Sequence, residues 1–200
     1  MTKASPGPLA GRYNLKRERL SLPAGSIWQA DDASSAGHAI VFVLNEGVTD
    51  GEAVVAKTLK ASQAVSDPHI VAWTDGGLLD DGRLWLAAPF VGEVTLSEHI
   101  ERSSGLPATE AVGLIRQVGS AVAKVHSQQG GHGFLCGEFV RLTMASEGIF
   151  SVHVYGHGLA DLLPAYSPLD RDGVFGGHPE YMAPELCRGE PSQAASDLYS

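Results

Sequence analysis

Cysteine is nearly absent from the 200 residues, which contain only Cys136 and Cys187. A disulfide scaffold is thereby excluded, and neither cysteine sits in a paired metal-ligand motif. Long apolar runs are missing too. The longest strongly apolar stretch, residues 39–44, falls far short of the roughly 20 residues that cross a bilayer. The opening Met1-Thr2-Lys3-Ala4-Ser5-Pro6-Gly7-Pro8 lacks the apolar core of a secretory signal. Positive charge is scarce: 14 Lys and Arg stand against 23 Asp and Glu, a formal net charge of −9. That balance gives no general attraction to nucleic acid or to an anionic membrane. No lysine lies between Lys16 and Lys57. What remains is a globular composition, 44% hydrophobic and 18% charged, with enough chain for one large domain or two small lobes. A soluble, cytoplasmic protein is expected.

Residues 1–10, rich in Pro, Gly and Ala, read as a flexible leader. Short β-favouring pieces follow at 26–30, 39–44, 70–74 and 83–90, broken by turn formers at 31–37 and 80–82. Between the second and third pieces, residues 52–65 are Ala- and Lys-rich and predict one helix. After Gly92 the pattern changes. Residues 107–128 carry Ala111, Leu114, Ile115, Val118, Ala121, Val122 and Val125 at helical spacing, with Pro107 and Glu110 suited to the first turn. Strand candidates at 139–144 and 150–155 flank the turn 145–148, and residues 156–184 predict mostly loop. The order gives an α+β architecture: a small antiparallel β lobe with one helix over 11–88, a hinge near 88–93, and a mainly helical large lobe over 89–200.

Several strings in this order resemble a protein kinase domain of the bacterial serine/threonine type. Gly177-His178-Pro179-Glu180-Tyr181-Met182-Ala183-Pro184-Glu185 resembles the segment ending in Ala-Pro-Glu, and Ser196-Asp197-Leu198-Tyr199-Ser200 the start of the large lobe's central helix. Asp67-Pro68-His69-Ile70-Val71 resembles the link after the regulatory helix, and Gly11-Arg12-Tyr13 the opening of such domains. The resemblance implies a bilobal fold whose large lobe is represented only in part. It also implies structural roles for His132, Ala183, Pro184, Glu185 and Asp197, and a nucleotide-cleft remnant at Gly25, Ile27, Ile40, Ala88 and Gly158.

The chemistry of that family is not carried over. Kinase catalysis needs a lysine on the phosphates, Asp and Asn on the metal, and an Asp beside the acceptor hydroxyl. At the matching positions stand Phe42 for the lysine, Phe134 for the base, Phe139 for the metal-binding Asn and Gly156 for the metal-binding Asp. His157 replaces the Phe of Asp-Phe-Gly, and Thr58 stands near the place of the regulatory-helix Glu. Of the phosphate-loop glycines only Gly25 is left, beside Leu22 and Pro23. One lost electrostatic contact typically costs ~10²–10³ in rate, and here all are replaced. In a strand Ile40 and Phe42 share a face, so both would fill the cleft from within.

The expected function is therefore that of a catalytically inactive kinase-like domain, a pseudokinase acting as a scaffold or as an allosteric partner of an active kinase or other signalling protein. No catalytic residue, metal or cofactor is expected, and ATP or magnesium binding should be weak or absent. An atypical enzyme with relocated charges at Arg141, Glu138 or Asp161 is the alternative, and a remnant with no folded role a third. His132 with Cys136, and His153 with His157, lack the partners that thiol or metal chemistry requires. Ser167 is the only Ser or Thr between Gly156 and Glu185, and control by phosphorylation there looks weak. With the large lobe only partly represented, the stripe over 107–128 should leave apolar surface exposed and favour association.

Overall fold

In a computed structural model, residues 8–22, 24–47, 49–146, 148–160, 162, 179–188 and 190–200 are described. Five antiparallel strands form the small-lobe sheet: β1 (Tyr13–Ser21), β2 (Gly25–Asp32), β3 (Gly37–Gly47), β4 (Asp75–Leu78) and β5 (Arg83–Pro89), in spatial order β1-β2-β3-β5-β4. Helix α1 (Gly51–Ala64) lies between β3 and β4 and packs on β4 and β5. Its buried positions, Gly51, Val55, Thr58 and Ser62, recur at helical spacing, so one narrow face with small members meets the sheet. Residues 90–93 link this lobe to the second sheet, β6 (Val94–Thr95), β7 (Val140–Ser146) and β8 (Ile149–Val154). Among the described residues, the large lobe also has helices α2 (Leu96–Arg102), α3 (Ala108–Gln129), α4 (Pro184–Cys187) and α5 (Ala194–Tyr199) and a 3-10 turn at Pro179–Tyr181.

Alternation along β3 divides the small-lobe core in two. Ile40, Phe42 and Leu44 point to the junction between the lobes, while Ala39, Val41 and Val43 join Leu9, Tyr13, Leu15, Trp85 and Ala87 on the outer face. The shared face of Ile40 and Phe42 is as the sequence predicts. In the large lobe, Leu114, Val118, Ala121, Val122 and Val125 of α3 cover Val140, Leu142, Val152 and Val154. The inner faces of β7 and β8 cover only a narrow stripe of this helix. Ile115, expected in the buried stripe, is therefore 65% exposed.

The strand expected at 70–74 is shifted. Trp73 is completely buried, but its N–H donates to the Ser62 hydroxyl and Val71 N–H to the carbonyl of Val154, so this run bridges α1 and β8. Pairing with β5 starts at Asp75. Gly76 suits β4 because a Cβ there would lie 2.8 Å from Leu86 and 3.1 Å from Val55. Leu9, within the expected leader, is 3% exposed and bridges to Tyr13; residues 1–7 lie outside the described residues. The expected loop 156–184 also falls largely outside them, with Asp161, Ser167, Gly177 and His178. Among the described residues, no helix is long and apolar enough to cross a membrane.

Candidate functional site at the lobe junction

Two aromatic rings at the junction rest on two glycines. Phe42 lies opposite Ile27 in β2 and Leu86 in β5, and is completely buried. Its ring atoms Cζ and Cε2 stand 2.8 and 2.9 Å from where a Cβ on Gly25 would be, so any side chain at 25 would overlap the ring. The Gly25 N–H donates to the Leu22 carbonyl at 3.2 Å, and Leu22 N–H returns a bond to Gly25 at 2.8 Å. This turn uses the amide that a phosphate-binding loop would need to leave free. Phe139, 1% exposed, repeats the arrangement on the large lobe. Gly156 has φ +94°, and a Cβ there would lie 2.8 Å from Phe139 Cδ1. Phe134 meets Phe139 edge-on, with centroids 5.0 Å apart and planes at 85°. The same apolar cluster contains Leu22, Ile27, Ile40, Ala88, Trp73, Tyr155 and Leu159.

Beside the cluster, the linker is held by polar side chains. The Tyr155 hydroxyl accepts from the N–H of Val91 at 2.8 Å and donates to the carbonyl of Pro89 at 2.7 Å. Burial pushes its pKa up to about 12, so it remains a donor. Arg141 donates through Nη1 to the Gly92 carbonyl at 2.7 Å, and its guanidinium lies 5.1 Å from the Phe90 ring centre. It is 5% exposed, and burial pushes its pKa down. Arg19 reaches the Phe90 ring at 5.7 Å and Glu93 at 3.3 Å. Beside these groups lies a cavity of about 150 Å³ bordered by Arg19, Ile27, Glu98, Glu138, Phe139 and Arg141, among others. Ligand pockets more often span ~300–1,000 Å³.

A buried polar knot underlies the junction. Asp197 of α5 accepts from the N–H of His132 at 2.6 Å and of Gly133 at 2.7 Å, and its Oδ2 lies 2.8 Å from His126 Nε2. The loop before β7 is thereby tied to both α3 and α5. His132 and His157 are 0% and 2% exposed, with ring centres 5.8 Å apart. Burial, reinforced by His157 and opposed by Asp197, lowers the His132 pKa to about 4, leaving the ring neutral. Trp73 Nε1 donates to the His157 carbonyl at 3.1 Å. Burial, then the neighbouring Glu138, raises the Cys136 thiol to about 12. Among the described residues, no three His, Cys, Asp or Glu side chains converge to hold a metal ion.

No protein-family model matches the chain. It is similar to serine/threonine-protein kinase pkn3 of Myxococcus xanthus, 28% identical over 182 residues that cover 88% of this chain and 33% of that protein. Serine/threonine-protein kinase PknA of Mycobacterium tuberculosis is 26% identical over 199 residues, 96% of this chain and 45% of that one. The chain thus spans between about a third and under half the length of these relatives. Among solved structures, the M. tuberculosis PknI kinase domain matches with a TM-score of 0.69 at 22% identity, covering 99% of this chain and 72% of that one. Two lobes of the same shape, over nearly the whole chain, decide the fold. This is a kinase-like domain.

The kinase-like domain brings Gly25, Ile27, Ile40, Phe42, Ala88, Phe134, Phe139 and Gly156 together at the lobe junction. Gly158 lies apart from them under α1, where a Cβ would meet Thr58 Cγ2 at 3.4 Å. Thr58 is 2% exposed and donates back to the Val54 carbonyl, so no charge faces the junction from this position. His132 and Asp197 meet directly, as above. Ala183 is 1% exposed, Pro184 opens α4, and Glu185 accepts from the Ser196 hydroxyl at 2.6 Å, joining α4 to α5. Sequence reasoning missed Tyr155, whose signal was a phenol at the end of a buried strand that had to find a partner. It named Arg141 as a relocated charge, whereas the guanidinium is engaged with Gly92.

Proposed function

We propose that this kinase-like domain is catalytically inactive and serves as a binding module, a scaffold or an allosteric partner for an active kinase or other signalling protein in the cytoplasm. The observation that carries the reading is the seating of Phe42 and Phe139 on Gly25 and Gly156. A nucleoside triphosphate with a divalent cation does not fit these side chains. Its phosphates need cations and backbone N–H groups, and its metal needs carboxylate or amide oxygens. At Phe42 and Phe139 the junction offers buried rings instead, and desolvating polyanionic charge against them is prohibitive. The fold's polar knot is retained, so the scaffold has a reason to be stable where the chemistry has none to proceed.

Thermal melting of the chain with ATP, with and without magnesium, tests this reading. A ligand at 100 times its Kd adds about 2.7 kcal/mol to the folded state, so binding would be visible. The expected result is no saturable shift and no transfer of labelled phosphate to a protein substrate. A saturable, magnesium-dependent shift accompanied by phosphotransfer would overturn it.

A further inference from the structure

We propose that Tyr155 and Arg141 form a built-in clasp on the linker, an internal ligand that fixes the angle between the lobes and makes the domain a single rigid docking body. The proposal deepens the binding-module reading and rests on it, since no nucleotide is then required to draw the lobes together. Two backbone groups of the linker and one at the end of β5 bond to the large lobe. Tyr155 takes Val91 N–H and Pro89 C=O with one hydroxyl, and Arg141 takes Gly92 C=O. A hydroxyl that donates and accepts at once constrains the ring in direction as well as distance.

Arg141 strengthens the inference. Among the described residues, no carboxylate lies within 4 Å of its guanidinium, although the side chain is 5% exposed. Glu98 and Glu93 favour its charge from farther off, but burial opposes it more strongly, so its direct hydrogen bonds matter. Here they hold Gly92, and the cation also meets the Phe90 ring, which Arg19 of the small lobe contacts too. Gly92 itself has φ +75°, and a Cβ would stand 2.6 Å from the carbonyl oxygen of Leu142. The linker backbone is therefore pressed onto β7 with no room for a side chain. Opening the lobes would break these bonds together and leave buried linker groups without partners.

Hydrogen exchange on the whole chain tests the clasp. Tyr155→Phe retains the ring and removes the hydroxyl. The expected result is about tenfold or faster exchange of the Val91 amide, with the amides of the β2–β3 pair unchanged. Equal Val91 rates in both proteins would overturn the clasp, and the ATP titration would be unaffected by that outcome. Should Tyr155→Phe fail to fold, Arg141→Met, which keeps the apolar stem, gives a second readout. With Cys187→Ser as background, spin labels at Arg17→Cys and Arg116→Cys report the distance between lobes. A broader distribution in Arg141→Met supports the clasp, and an unchanged width overturns it.

Discussion

A lysine in place of Phe42 would carry its ammonium among Ile27, Leu86 and the other buried apolar side chains of the junction. An uncompensated buried charge typically costs about 3–5 kcal/mol. Phe42→Lys should therefore lower the urea midpoint sharply and still give no ATP-dependent thermal shift. Preserved stability together with nucleotide binding would contradict the occluded junction. His132 makes a pH-dependent contribution of definite sign. Its pKa is lowered from 6.5 to about 4, so the unfolded chain takes up the proton first as pH falls. The stability due to neutral His132 is complete above about 6.5 and is lost progressively as pH drops toward 4, by on the order of 3 kcal/mol. Urea titrations at pH 7.5 and 5 should show this loss, and His132→Gln should flatten it; identical slopes in the two proteins would refute the assignment.

At the level of elements, legibility followed the strength of the periodic signal. The α3 stripe and the alternation along β3 were readable because each is repeated several times in sequence and buried on one face. β1 was not assigned, because Lys16, Arg17 and Glu18 are exposed on an edge strand and only Tyr13 and Leu15 give it a core face. β4 was placed too early because its own residues include Gly76 and Gly77, whereas the preceding apolar run is buried without joining the sheet. Helix α2 has no buried residue, and its one sequence signal was the capping box of Thr95 and Glu98. The substitutions at the candidate site could be read from motif positions. Their counterparts could not: a glycine opposite a ring, or a tyrosine hydroxyl on the linker, is a juxtaposition across 17 to 66 residues that no local pattern encodes.

For the whole molecule, apolar side chains are prominent on the large lobe's surface. Val112 and Ile115 on α3 are 52% and 65% exposed, and Leu198 and Tyr199 on α5 are 83% and 59% exposed. Exposed apolar area of this kind favours association. The chain should sediment as a mixture of oligomers, and Ile115→Lys with Leu198→Lys should shift it toward monomer while leaving the melting temperature nearly unchanged. A single monomeric boundary for the unmodified chain would argue against this. The rings on their glycines also shape how the protein can change. An aspartate at 156 collides with Phe139, while an asparagine at 139 leaves a hole above a bare glycine. Each step alone weakens the fold, and only the paired exchange avoids the loss. The interior thus acts as a ratchet, penalising single substitutions at these paired positions and leaving drift free to work on the surface.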